Sequence, residues 1–177
     1  MNRRTLTAIR FVAALFIAGY SAQSLANQAG PGPDPQYFLA GMRCVGGSYG
    51  LRLPATLPAL NTMAPLVSTL ILEEEKHEGY TATRKVLRFK GLTLGVVTFS
   101  NDPTRYALNS AEISSSAWRN IAPFRVGQRI EAAHKLLGVI ADPDLYLRST
   151  YTGEAESVRF ESRSGRITSV IYECYTG

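Results

Sequence analysis

Two cysteines, two histidines and a single tryptophan are the scarce reactive or anchoring side chains in this 177-residue chain. Cys44 and Cys174 bracket most of it, without the C-x-x-C spacing of a redox pair or a histidine close by in sequence. They read as a structural disulfide in an exported protein, with a reactive thiol as the competing reading. His77 sits among Glu73, Glu74, Glu75 and Glu78, which is the composition of a solvated turn rather than a metal-ligand spacing. His134 falls near the apolar stripe of a helix, where a half-buried face residue is the simpler reading than a general base without a nucleophile. No G-x-S-x-G, H-E-x-x-H, S-x-x-K or paired zinc cysteines occur, so neither catalytic residues nor a cofactor or metal is expected. The cluster Gly46-Gly47-Ser48-Tyr49-Gly50 lacks the lysine and the following helix of a phosphate loop and reads as a turn.

The most distinctive polar feature is Ser114, Ser115 and Ser116 followed by Trp118. Hydroxyls beside an aromatic on a connecting segment would give a partner-binding anchor with adaptable hydrogen bonds. The alternative is a serine-capped turn with Trp118 packed in the core. The nine tyrosines, among them Tyr146, Tyr151, Tyr172 and Tyr175, either line an exposed sheet face or serve as strand formers.

These residues must be held by elements that the pattern itself suggests. Residues 66–74 and 80–89 are extended runs around a charged turn closing in Gly79; Lys90-Gly91 leads into 92–99, and Asn101-Asp102-Pro103 into a strand through Tyr106, Leu108 and Ile113. Four strands in meander order follow. The one clear helix spans 128–137, with Ile130, Ala133, Leu136, Leu137 and Ile140 as its stripe and Gly138 as its cap. Pro143 bars its continuation, and 145–151, 155–161 and 167–175 read as three more strands. Val158 and Phe160 alternate with Ser157, Arg159 and Glu161, so the sheet has one wet face and is antiparallel. The expected class is α+β: about seven antiparallel strands in meander order with one main helix on the dry face. Between 37 and 65 the pattern is weak: Pro54, Pro58 and Pro65 interrupt any long helix, and Leu51 and Leu53 suggest a short extended piece.

Arg3, Arg4 and Arg10, the apolar run FVAALFIAG at 11–19, and Ser24-Leu25-Ala26 have the layout of a secretory signal peptide over 1–26. That run is short of the roughly 20 residues of a spanning helix, so no membrane span is expected after cleavage. Residues 27–36, rich in Pro and Gly, read as a flexible linker, and 37–177 as a single domain. Without residues 1–26 the 19 Lys and Arg fall to 16 against 14 Asp and Glu, so net charge drops from +5 to +2. That is no basis for nucleic-acid binding.

The stretch FRVGQ at 124–128, the helix closing in Leu136-Leu137-Gly138, the strand ESVRF at 156–160 and GRITSV at 165–170 resemble the SmpA/OmlA family of small bacterial envelope proteins. The likeness covers about 123–175. It implies a β-lactamase-inhibitor-like fold, a Gram-negative periplasm and a non-enzymatic protein that works by binding another protein. Family members are commonly lipoproteins, whereas no lipidation cysteine follows residue 26 here, and Arg129 stands where the family often has a Ser or Thr cap. Two partner types follow: a cell-wall hydrolase or toxin held by an inhibitor or immunity protein, or a component of outer-membrane assembly. The competing class is a small-ligand binder or enzyme whose site only the fold assembles, with His134 or a free Cys44 as its best candidates.

Overall fold

Tight turns set most of the strand register. In the computed structural model, which describes residues 36–138, 150–153 and 156–175, strand β2 (Leu66–His77) turns into β3 (Tyr80–Phe89) through Glu78 and Gly79, and His77 faces Tyr80 across the turn. Lys90 and Gly91 lead on to β4 (Leu92–Phe99), and Ser100 and Asn101 to β5 (Asp102–Ile113). Two-residue loops of this kind join antiparallel neighbours and leave no freedom of pairing. Near the C-terminus β7 (Ser157–Arg163) and β8 (Arg166–Glu173) are joined by Ser164 and Gly165, both at positive φ (52° and 70°), as in a type I′ turn.

The expected class holds, an α+β fold on an antiparallel sheet, but the strands do not form one continuous meander. The first strand, β1 (Gln36–Phe38), and β6 (Thr150–Thr152) complete an eight-stranded sheet in the order β1-β6-β7-β8-β5-β4-β3-β2. Two meanders, β2 to β5 and β6 to β8, meet where Ser110–Ile113 of β5 pairs with Val170–Glu173 of β8. The chain between β5 and β6 contains the main helix and returns at β6, with β7 and β8 then filling in toward β5. β1 pairs parallel to β6, the one parallel pairing among the described strands. The sequence reading anticipated the four-strand meander at 66–113 and the turns, and did not anticipate β1. The expected signal peptide over 1–26, nearly all of the expected linker and residues 145–149 of the strand expected at 145–151 lie outside the described residues, as do Tyr146 and Ile140.

One face of the sheet is dry. Leu92, Leu94 and Val96 of β4, Ala111 and Ile113 of β5, Val170 and Tyr172 of β8, Val158 and Phe160 of β7 and Tyr151 of β6 are buried. Between them on β7, Ser157, Arg159 and Glu161 point to the other side, as the alternation predicts. Leu39, Met42, Leu51 and Leu60 from the N-terminal segment join this core, with Ala122, Phe124, Ala133 and Leu137 from the segment after β5.

The N-terminal segment contains a short helix that the sequence reading missed, α1 (Leu57–Thr62). Pro58 lies in its first turn, where the missing N–H is never needed, so this proline starts a helix that it would break further along. The main helix, α2 (Ile130–Leu136), starts two residues later than expected and buries Ala133 and His134, with Leu137 just beyond its end. Leu136, counted into the stripe from sequence, is 53% exposed, and His134 takes its place at 1%. Positions 130, 133, 134 and 137 form one face at three- and four-residue spacing, and 136 falls off it. His134 is therefore fully rather than half buried, with its ring edge-on to Tyr151 at 5.9 Å. Arg129, at the N-cap, makes no side-chain cap.

Cys44 and Cys174 are joined in a disulfide, with Cα atoms 5.7 Å apart and a separation of 130 positions in sequence. Neither thiol is free, which removes the reactive-cysteine reading of Cys44. The backbone N–H of Cys44 also donates to Glu156 Oε2 at 2.8 Å, so the N-terminal segment is held to the chain just before β7 as well as to the end of β8. A bond of this kind fits an oxidising, extracytoplasmic compartment.

Tyr151 and Tyr172 are core residues, so these two strand tyrosines do not form an exposed face; Tyr175 is 69% exposed. The Tyr172 hydroxyl donates to the carbonyl of Tyr49 at 2.9 Å, which gives the GGSYG turn a structural use: it caps the buried end of β8. Burial pushes this hydroxyl far above the ordinary phenol value of 10.0. Between that value and its native one the unfolded chain has lost a proton that the native state keeps, so stability falls with rising pH. Unfolding in urea at a series of pH values is expected to show a plateau below pH 10 and above it a loss of up to about 1.4 kcal/mol per pH unit from this group. Tyr172→Phe should flatten the alkaline limb by that amount; an unchanged slope would refute the assignment.

Candidate protein-binding surface

The segment after β5 begins as a turn built on its serines. Ser114 donates its backbone N–H to the carbonyl of Gly91 at 3.0 Å, and Ser115 Oγ accepts the N–H of Ala117 at 3.3 Å, capping a single 3-10 turn at Ser116–Trp118. Gly91, at φ +76°, lies under this turn, and a Cβ there would run into Ser115 Cβ. The close approach of the β3–β4 turn to the serine turn thus depends on the missing side chain.

Trp118 is half-buried. Its ring meets Phe89 edge to face at 5.9 Å, and its Nε1 donates to the carbonyl of Lys90 at 2.9 Å. The alternative reading of this segment is therefore seen, with a serine capping the turn and the indole packed on the core margin, and one side of the indole remains open. That side forms a wall of a groove of about 550 Å³, lined also by Met63, Ala64, Lys90, Ser115 and Ala117. Trp, Met and Ala supply an apolar floor, and Lys90 and the Ser115 hydroxyl supply polar edges. An indole fixed by its own hydrogen bond loses little entropy on contact, which is the property of a binding anchor. Ser114 and Ser116 lie exposed beside the groove without lining it. Met63 and Ala64 come from the end of the α1 segment, about fifty residues earlier in sequence, and no local signal placed them beside Trp118.

Directly after Ala64 and Pro65 the chain enters β2, which is an edge of the sheet and exposed along all twelve of its residues. Leu66, Val67, Leu70, Ile71 and Leu72 are between 39% and 69% exposed. Sequence reading found this strand but had no means of seeing that it would lie bare. Its far end carries the glutamates. Glu73 pairs with Arg84 at 3.1 Å, and His77 stacks on Tyr80 at 4.7 Å with its Nε2 3.6 Å from Glu75, so the cluster is a solvated hairpin end. No group of three or more His, Cys, Asp or Glu among the described residues is arranged to hold a metal ion.

No protein-family model, curated protein or solved structure matches this chain. The surface must be read from its own chemistry. A second hollow, of about 390 Å³, lies beside the disulfide and is lined by Phe38, Ala40, Gly41, Met42, Arg43, Glu156 and Tyr175. Its carboxylate is already engaged by the Cys44 N–H, and Phe38 and Tyr175 stand 61% and 69% exposed at its mouth. No helix among the described residues is long and apolar enough to cross a membrane.

Proposed function

We propose that this is an exported, periplasmic, non-enzymatic protein that binds another protein, as an inhibitor or immunity protein against a cell-wall hydrolase or toxin. The observation that carries the reading is the groove beside Trp118, an apolar hollow with a fixed indole on one wall and a cation and a hydroxyl at its edges. Such a site suits a protruding loop of a partner better than a reacting substrate, because its hydroxyl, Ser115 Oγ, is held by the Ala117 N–H and has no hydrogen bond to the Lys90 amine that could act as its base. The histidine that an enzyme reading would use, His134, is sealed in the core at 1% exposure, out of reach of a substrate.

The likeness of 123–175 to the SmpA/OmlA family supports the same class. A β-lactamase-inhibitor-like module is supported by the order of α2 followed by β6, β7 and β8 as an antiparallel meander. The accessory role in outer-membrane assembly rests on that likeness alone, and the small-ligand alternative has the hollow beside the disulfide as its place.

Affinity capture from the envelope and secreted fractions of the source cell, using the oxidised protein without residues 1–26, tests the reading. Stoichiometric recovery of one hydrolase or toxin is expected, with its activity suppressed in the complex. Recovery of outer-membrane assembly components would instead move the protein to the accessory role. Trp118→Ala is expected to weaken the captured complex by about 2 kcal/mol or more, roughly 30-fold. Because the indole also braces the β3–β4 turn, Ala117→Arg, which fills the groove from an exposed position, should weaken binding comparably with an unchanged urea midpoint. Full affinity in both variants would rule out the groove.

A further inference from the structure

We propose that two copies of this chain pair through β2, antiparallel about a two-fold axis at Thr69, joining two eight-stranded sheets into one. The inference stands apart from the partner-binding reading and is tested on the purified protein alone.

The composition of β2 is at odds with its place. Across from β3, Leu66, Thr69 and Ile71 share the face of Phe89, Leu87 and Lys85, while Ser68 and Leu70 share the face of Arg88 and Val86. Val67 and Leu72 are the extra residues at the two irregularities in the β2–β3 register. Leu66 and Ile71 thus look to one side and Leu70 to the other. A strand apolar on both faces belongs inside a sheet, yet β2 lies at its edge with a row of backbone groups open to pairing. Natural edges are blunted by charges, prolines or short length, and residues 66–72 carry no charge.

The pattern is self-complementary in one register. The apolar run 66–72 is centred on Thr69, so a two-fold axis there sets Leu66 against Leu72, Val67 against Ile71 and Ser68 against Leu70 of the second copy, with Thr69 facing itself. Ser68 and Leu70 share a face, so side-chain direction agrees with the pairing. The same register carries Glu73, Glu74 and Glu75 of each copy beyond Leu66 of the other, where Met63 closes α1 in a helical conformation and strand pairing ends. The two acidic stretches therefore lie at opposite ends of the seam, away from each other. A shift of the axis by one residue to Leu70 would set Glu74 against Leu66 and bring a carboxylate into the apolar seam. A two-fold contact of this kind also uses up both β2 edges and stops at two copies.

Sedimentation velocity of the oxidised chain lacking residues 1–26, from about 1 to 200 µM, reads the result directly. A reversible dimer is expected. Thr69→Glu puts two carboxylates face to face on the axis and should raise the dimer dissociation constant about 100-fold or more, with no change in the urea midpoint of the monomer because Thr69 is exposed. Thr69→Lys should act alike, and an equimolar mixture of the two variants should recover the dimer. A protein that stays monomeric at 200 µM would overturn the proposal and leave the edge to a strand from a different protein. A dimer indifferent to both variants would overturn it equally, by placing the interface elsewhere.

Discussion

Replacing Cys44 and Cys174 together by serine is expected to cost this fold about 2–5 kcal/mol, a large part of the 5–15 kcal/mol by which a domain of this kind is stable. The reason lies in the 130 residues that the bond spans. Without it the unfolded chain can separate its ends, and the loop-closure entropy that the bond removes from the unfolded state grows with the logarithm of that span. Equilibrium unfolding in urea of the oxidised protein, the reduced protein and the double variant checks this. Reduced protein and variant should share a lowered midpoint, and a loss under about 1 kcal/mol would show that the N-terminal segment holds by packing alone. The double replacement is the proper comparison, because a single one leaves a thiol free to pair between chains.

Phe124→Ala should be nearly as damaging, at about 3–5 kcal/mol. Phe124 is 1% exposed, and its ring meets Phe160 of β7 edge to face at 4.8 Å. It follows the turn at Trp118 and precedes α2, so it pins to the sheet the segment that carries the groove. Its removal leaves a cavity between that segment and β7 that no neighbour can fill by a rotamer change alone. Thermal unfolding of the variant should show a midpoint lower by about 10 °C or more, and weakened partner binding should appear only near that lowered midpoint. An unaltered midpoint would mean that the segment is held by other contacts. Phe124 opens the FRVGQ motif on which the family likeness rests, so part of that motif encodes packing rather than recognition.

The hairpins were legible in the sequence because their information is local. Glu78-Gly79, Lys90-Gly91 and Ser164-Gly165 are turn chemistry written in adjacent residues, and each fixes the register of the strands it joins. The helix was legible as a period but its face was assigned by hydrophobicity, which favoured Leu136 over His134; the packing of an imidazole against the Tyr151 ring reversed them. Strand order was not legible. The contact of 110–113 with 170–173 joins segments sixty residues apart, and nothing within either names the other. The groove shows the same division: Ser115 and Trp118 stood out as an unusual pairing of residue types, while Met63 and Ala64 became part of the site only through the path of the chain after α1.

The sheet order has a last consequence, for how the molecule can be held. β1 and β2 occupy its two opposite edges, seven strand spacings or roughly 34 Å apart. Residue 36, where the described residues begin, opens β1. A tether, affinity tag or surface attachment made on that side therefore hangs the domain by one edge and turns β2 outward, and a fluorophore placed there reports on events at β2 without touching them.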